Sequence, residues 1–129
     1  MEFDWNLGPL GEGLRCYRRE EFFVAHEHWE ILWRKSQGAE KSFLQALIQM
    51  AGGFHHWQRH NLKGAAALLK AARRRLEAYP ARYRGVEVAG LREELSRWLT
   101  ALEAEGLNTR LPYPQLCADV IPERAGSER

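Results

Sequence analysis

Residues 42–60, SFLQALIQMAGGFHHWQRH, decide the fold: wound as a helix, they place Phe43, Leu44, Leu47, Ile48, Met50, Ala51, Phe54 and Trp57 around almost the whole circumference. A helix with no solvated face is one covered by its neighbours. The segment is therefore read as the central helix of an all-α fold. Gln45, Gln49, Gly52, His56 and His60 interrupt the apolar cylinder, falling on one stripe at about 100° per residue. Buried amides and imidazoles cost several kcal/mol in order of magnitude when unpaired. The stripe must meet polar partners on a neighbouring helix or line a wet cleft.

Outward from this helix, Leu14, Tyr17, Phe22, Ala25, Trp29 and Leu32 recur at helical spacing and predict a helix over about 12–36, with Gly38 as its stop. On the other side Asn61 is a cap for a third helix with the stripe Leu62, Ala65, Leu69, Ala72, Leu76 and Tyr79, closed by Pro80. Leu91, Leu95, Trp98, Leu99 and Leu102 mark a fourth, ending at Gly106. Beyond it Pro112, Pro114 and Pro122 impose extended chain, and the ERAGSER terminus is expected to fray. No alternating β-branched strand pattern occurs. The expectation is a compact antiparallel bundle of about four helices in a single domain spanning 1–129, with its core over 12–106 and an extended segment over 107–129.

The chain length suits one core, and 45% apolar with 28% charged residues is ordinary for a globular protein. A formal charge of +2 does not announce a nucleic-acid binder. The N-terminus MEFDWNLGPLGEG lacks the basic and apolar regions of a secretory signal, and Ser42 to Gln58, the longest stretch without charge, is too short and too polar to span a bilayer. A cytoplasmic protein with no membrane segment is expected. Cys16 and Cys117 have neither CxxC spacing nor an adjacent histidine, so they read as free thiols without a role.

All five histidines lie between residues 26 and 60. His26 and Glu30, four apart, share one face of the first helix beside Phe22 and Trp33, while Glu27 points elsewhere. The facing set across the first two helices would be His26, Glu30, Gln49 and His56, with Gln45, Glu27 and His60 around it. Gly52 and Gly53 in mid-helix, each costing about 1 kcal/mol against alanine, indicate a packing or access requirement there.

The pieces EFFVAHEHWEILWR and LQALIQMAGGFHHWQRHNLKGA combine His, Glu and Trp at fixed helical offsets: His26, Glu27, Trp29, Glu30 and Trp33, then Gln45, Gln49, His56, Asn61 and Gly64. Over about residues 14–80 the chain resembles the bacterial helical proteins grouped as domain of unknown function 309. The resemblance implies a compact helical bundle and supplies no reaction. Where that family often carries tyrosine before the second histidine, this chain has His55.

Three chemistries fit the histidine constellation. His26, Glu30 and His56 could ligate zinc, manganese or iron, with Gln49 or His60 in support; however, HEHWE lacks the second histidine of HExxH, and the Glu-x-x-His pairs of di-iron bundles are absent. A His–Glu pair could act as general base on a bound small molecule, though no nucleophile motif or phosphate loop accompanies it. A hydrogen-bonded polar layer that fixes helix register is the commonest fate of such residues.

The alternative class is a non-catalytic interaction module. Arg59, Lys63, Lys70, Arg73, Arg74, Arg75, Arg82 and Arg84 stand against Glu77 alone, a local balance of +7 over residues 59–84. Consecutive arginines fan around a helix, which predicts a solvated face and weak anionic contact without specific nucleic-acid recognition. A tryptophan left exposed beside this face would mark a homo-oligomer interface. Trp57 to Pro80 is similar to one hairpin of a tetratricopeptide array; with no second copy evident, a repeat surface for peptides is not expected.

Overall fold

The computed structural model describes residues 3–116, so Cys117, Pro122 and the terminal ERAGSER lie outside the described residues. Helices α1 (Gly8–Arg18), α2 (Phe22–Lys35), α3 (Gly38–Gln58), α4 (Leu62–Leu76) and α5 (Val88–Glu105) carry the fold. A 3-10 turn (Gly106–Asn108) follows α5. The all-α reading holds, with α3 central between α2 and α4. Phe43, Leu44, Leu47, Ala51 and Phe54 on α3 are wholly buried, in one hydrophobic cluster with Trp29, Leu69 and Leu95.

Three local expectations need correction. The helix expected over 12–36 is two helices, broken at Glu20, whose φ is 64°. The break is a Schellman motif: Glu21 N–H reaches the carbonyl of Cys16 at 2.9 Å and Glu20 N–H that of Tyr17 at 2.9 Å. Glutamate stands where glycine is the usual signal, which hid the stop. Gly38, expected to end a helix, begins α3. A hairpin of two-residue strands, β1 (Arg82–Tyr83) and β2 (Val86–Glu87), joins α4 to α5 through Gly85 at φ 84°.

The second copy of the helical hairpin exists, forty positions upstream. Asn61 N–H bonds the carbonyl of His56 at 2.8 Å and His60 N–H that of Trp57 at 3.0 Å, repeating the break after α1, with His60 at φ 62° in the place of Glu20. Gly13 pairs with Gly53, Ala25 with Ala65 and Trp29 with Leu69 at the same offset. A Cβ on Gly13 would collide with the Trp29 ring, and one on Gly53 would fall 2.8 Å from Leu69. Each glycine lets the second helix of its hairpin press against the first, while Ala25 and Ala65 are completely buried. A small residue, then alanine twelve positions later, then a bulky residue four further on is thus the packing pattern of both hairpins. Aromatic and aliphatic exchanges at the other equivalent sites, Tyr17 for Trp57 and Leu14 for Phe54, masked the duplication in the sequence.

Candidate functional site

The structure distributes the polar stripe of α3 among three environments. His56 turns to the start of α4, where its Nδ1 accepts from the Asn61 side-chain amide at 3.0 Å, and Asn61 Oδ1 accepts from Gly64 N–H at 2.9 Å. His60 lies past the end of α3 as the exposed left-handed residue of the turn. Gln45 is half-buried. Gln49 meets α4 instead of α2: its Oε1 accepts from Arg75 Nε at 3.4 Å.

His26 and Glu30 do come together, with Nε2 and Oε2 3.6 Å apart, and Glu30 also reaches Arg34 at 3.6 Å. Phe23 stacks on His26 at 5.6 Å between centroids and touches His55 at 5.2 Å. His55 is thus drawn into the neighbourhood of His26. Burial, followed by the charges of Arg59, His56 and His26, pushes the His55 imidazole below its ordinary value. Nδ1 of His26 is buried without a hydrogen-bond partner. Glu27 is exposed. Among the described residues no three His, Cys, Asp or Glu side chains stand together as a metal-holding group.

A different set of groups converges between α3 and α4. α4 is rich in alanine, and Gly52 and Gly53 bring it close: a Cβ on Gly52 would sit 3.1 Å from Leu68. Alongside runs an open groove of about 550 Å³ lined in part by Ala67, Ala71 and Ala78. Ser42 and Gln49 line it from α3, and Lys70, Arg74 and Arg75 from α4. Arg75 spans the groove, its Nη1 donating to Ser42 Oγ at 3.1 Å in addition to the Gln49 bond. Arg73 turns the other way and donates to Ser96 on α5 at 3.3 Å. The arginine run therefore fans as consecutive helix positions must. Sequence reading missed the groove because Lys70 and Arg74 gain meaning only with the alanines at helical spacing beside them.

Residues 10–68 match the model of a family described as Domain of unknown function (DUF309). Over these residues the chain is similar to that family. The DUF309 match covers both hairpin turns and both glycine–alanine pairs, together with His26, Glu30, Gln49 and His56; Lys70, Arg74 and Arg75 lie beyond it. No curated protein matches the chain. Among the described residues no helix is long and apolar enough to cross a membrane.

Proposed function

We propose that the chain is a binding module that receives a small anionic molecule in the groove between α3 and α4. The observation that carries this reading is the environment of Arg75. Its guanidinium is held in place by the neutral oxygens of Ser42 and Gln49, and no carboxylate among the described residues pairs with Lys70, Arg74 or Arg75. A preoriented planar fork beside two further cations is suited to a carboxylate or phosphate, because little conformational freedom remains to be lost on binding. The groove volume falls in the usual range of small-molecule sites, roughly 300 to 1,000 Å³. The divergence of Arg73 favours a compact anion over a polynucleotide, which needs a continuous cationic track.

Thermal melts with inorganic phosphate or citrate, against sodium chloride at equal ionic strength, test this reading. Both anions should raise Tm in the wild type and leave a Lys70→Gln, Arg74→Gln double variant unmoved. An equal rise with chloride, or an undiminished rise in the variant, would defeat it.

The unpartnered Nδ1 of His26 supports a second reading, in which His26 and Glu30 supply two ligands to zinc, manganese or iron. This requires His56, or a neighbouring group, to swing toward the pair.

A further inference from the structure

Three of the five large apolar side chains exposed among the described residues lie on α2: Phe23, Val24 and Ile31 are 49%, 40% and 41% open to solvent. At about 100° per residue, Val24, Glu27, Ile31 and Arg34 form one line along the helix, opposite the buried Phe22, Ala25 and Trp29. All four residues of the line are exposed. Phe23 stands on its flank, where its ring touches His26 and His55. Val24 and Ile31 are therefore the centre of the face.

The duplicated hairpin offers an internal comparison. Forty positions on, Phe23, Val24 and Ile31 correspond to Lys63, Gly64 and Ala71 of α4. The second helix of a hairpin thus folds with a cation, a glycine and an alanine at these positions, so hairpin packing does not call for large apolar groups there. Left in water, such groups gain the monomer no burial, and a contiguous set of them marks a contact surface.

The sequence of α2 is complementary to itself when two copies lie antiparallel. With a two-fold axis between Glu27 and His28, Val24 of one copy faces Ile31 of the other, and Glu27 faces His28. In the same register Glu21 faces Arg34 and Glu20 faces Lys35. Every pair occurs twice, as an isologous interface requires. Apolar pairs thus flank the axis, and acid meets base at both ends. A parallel arrangement would set acids against acids and bases against bases, and would align the two helix dipoles.

We propose that this outer face of α2 is the contact surface of a homodimer, packed antiparallel on α2 of a second copy in that register. One helix face is small against the roughly 800 Å² per partner of a standard interface, so the dimer is weak, with a dissociation constant of about micromolar order or above. The face lies on α2 and shares no residue with the anion groove between α3 and α4, so neither reading depends on the other.

Sedimentation equilibrium of the full chain, over a range of roughly 1 μM to 1 mM that brackets such a constant, tests the proposal. The mean mass should climb from the 15.0 kDa monomer toward twice that value. Ile31→Glu should weaken association by about tenfold or more, because it sets a carboxylate in each apolar pair. Ile31 is exposed, so this variant should keep the wild-type melt at the lowest concentration. Val24→Lys, at the paired position, should act alike, and it decides the matter if Ile31→Glu does not fold. Glu21 and Arg34 also have partners on their own chain, Arg19 at 3.4 Å and Glu30 at 3.6 Å, so the register is read from Glu20 and Lys35. Lys35→Glu should weaken the dimer, and adding Glu20→Lys should restore it, since opposite charges then face each other again. A chain that keeps the monomer mass throughout overturns the proposal, as does a dimer that neither Ile31→Glu nor Val24→Lys weakens. A dimer broken by those variants but not restored by the double charge reversal overturns the antiparallel register.

Discussion

His56 and Asn61 form a relay at the start of α4: the imidazole Nδ1 accepts from the Asn61 amide, which leaves Asn61 Oδ1 free to cap the helix at Gly64. Asn61 thus uses both ends of its side chain. Asn61→Ala should cost about 1 kcal/mol, the usual loss for an N-cap. His56→Ala should cost less than Asn61→Ala, because it frees the amide to bond water while keeping the cap. Urea melts of the two variants check the order. A larger loss for His56→Ala would mean that its packing on Gly64 outweighs the relay.

Glu20 and His60 occupy left-handed backbone at φ 64° and 62° without glycine's freedom. That conformation costs a residue with a Cβ about 1 kcal/mol or more. Glu20→Gly and His60→Gly should each stabilise the fold by up to about 1 kcal/mol, the gain reduced by glycine's larger unfolded-state entropy. The two effects should be similar, since the turns are duplicates. Denaturant midpoints measure both, and a clear loss at either site would show that its side chain holds the turn.

Trp29 is wholly buried, donates to the carbonyl of Leu10 at 3.3 Å and lies against Gly13. Trp29→Ala should therefore destabilise by about 3 to 5 kcal/mol. Gly13→Ala attacks the same contact from the other helix and should also be severe, because the added carbon meets a rigid indole. Thermal melts of the pair test this. A loss below about 1 kcal/mol for Trp29→Ala would contradict the packing of α1 on α2.

Particular residues show what the sequence could and could not disclose. The burial of α3 and the capping role of Asn61 were legible because helical periodicity and a cap are local signals. The break at Glu20 was hidden because backbone hydrogen bonds imposed a left-handed residue where no glycine advertised one. The stripe expected on α3 was dispersed, His60 falling in the turn beyond the helix, because a helix's own spacing cannot name the neighbour it faces: Gln49 met Arg75 on α4, and His26 met Phe23 and His55. The seat of the segment after α5 was out of reach, since it joins residues almost a hundred positions apart, as in the bond from Tyr17 to Pro114.

Acid should cost the fold some stability through His55. Its folded value is lowered, chiefly by burial, while in the unfolded chain it titrates near about 6.5. Above that pH both states hold it neutral and its contribution is complete. As pH falls below it, the unfolded chain takes up the proton first, and stability declines until the folded value is passed. The wild type should lose stability relative to His55→Gln as pH falls below about 6.5. Paired urea melts on either side of that pH would read the difference, and a constant gap would sink the assignment.

The His26–Glu30 pair can be tested as a metal half-site independently of the groove. His26 Nδ1 has no protein partner to lose, and the His26–Glu30 contact is long at 3.6 Å and partly open to solvent, so His26→Ala and Glu30→Gln should each change apo stability by less than about 1 kcal/mol. If the pair binds zinc, manganese or iron(II), one of these ions should raise the wild-type Tm, and each substitution should remove that rise because two ligands are the least the site can offer. Melts with and without each ion, with His60→Ala as a control for adventitious binding to exposed histidine, give the answer. A rise that survives both substitutions places the ion elsewhere. If no ion produces a rise, His26 and Glu30 are only a surface pair on α2.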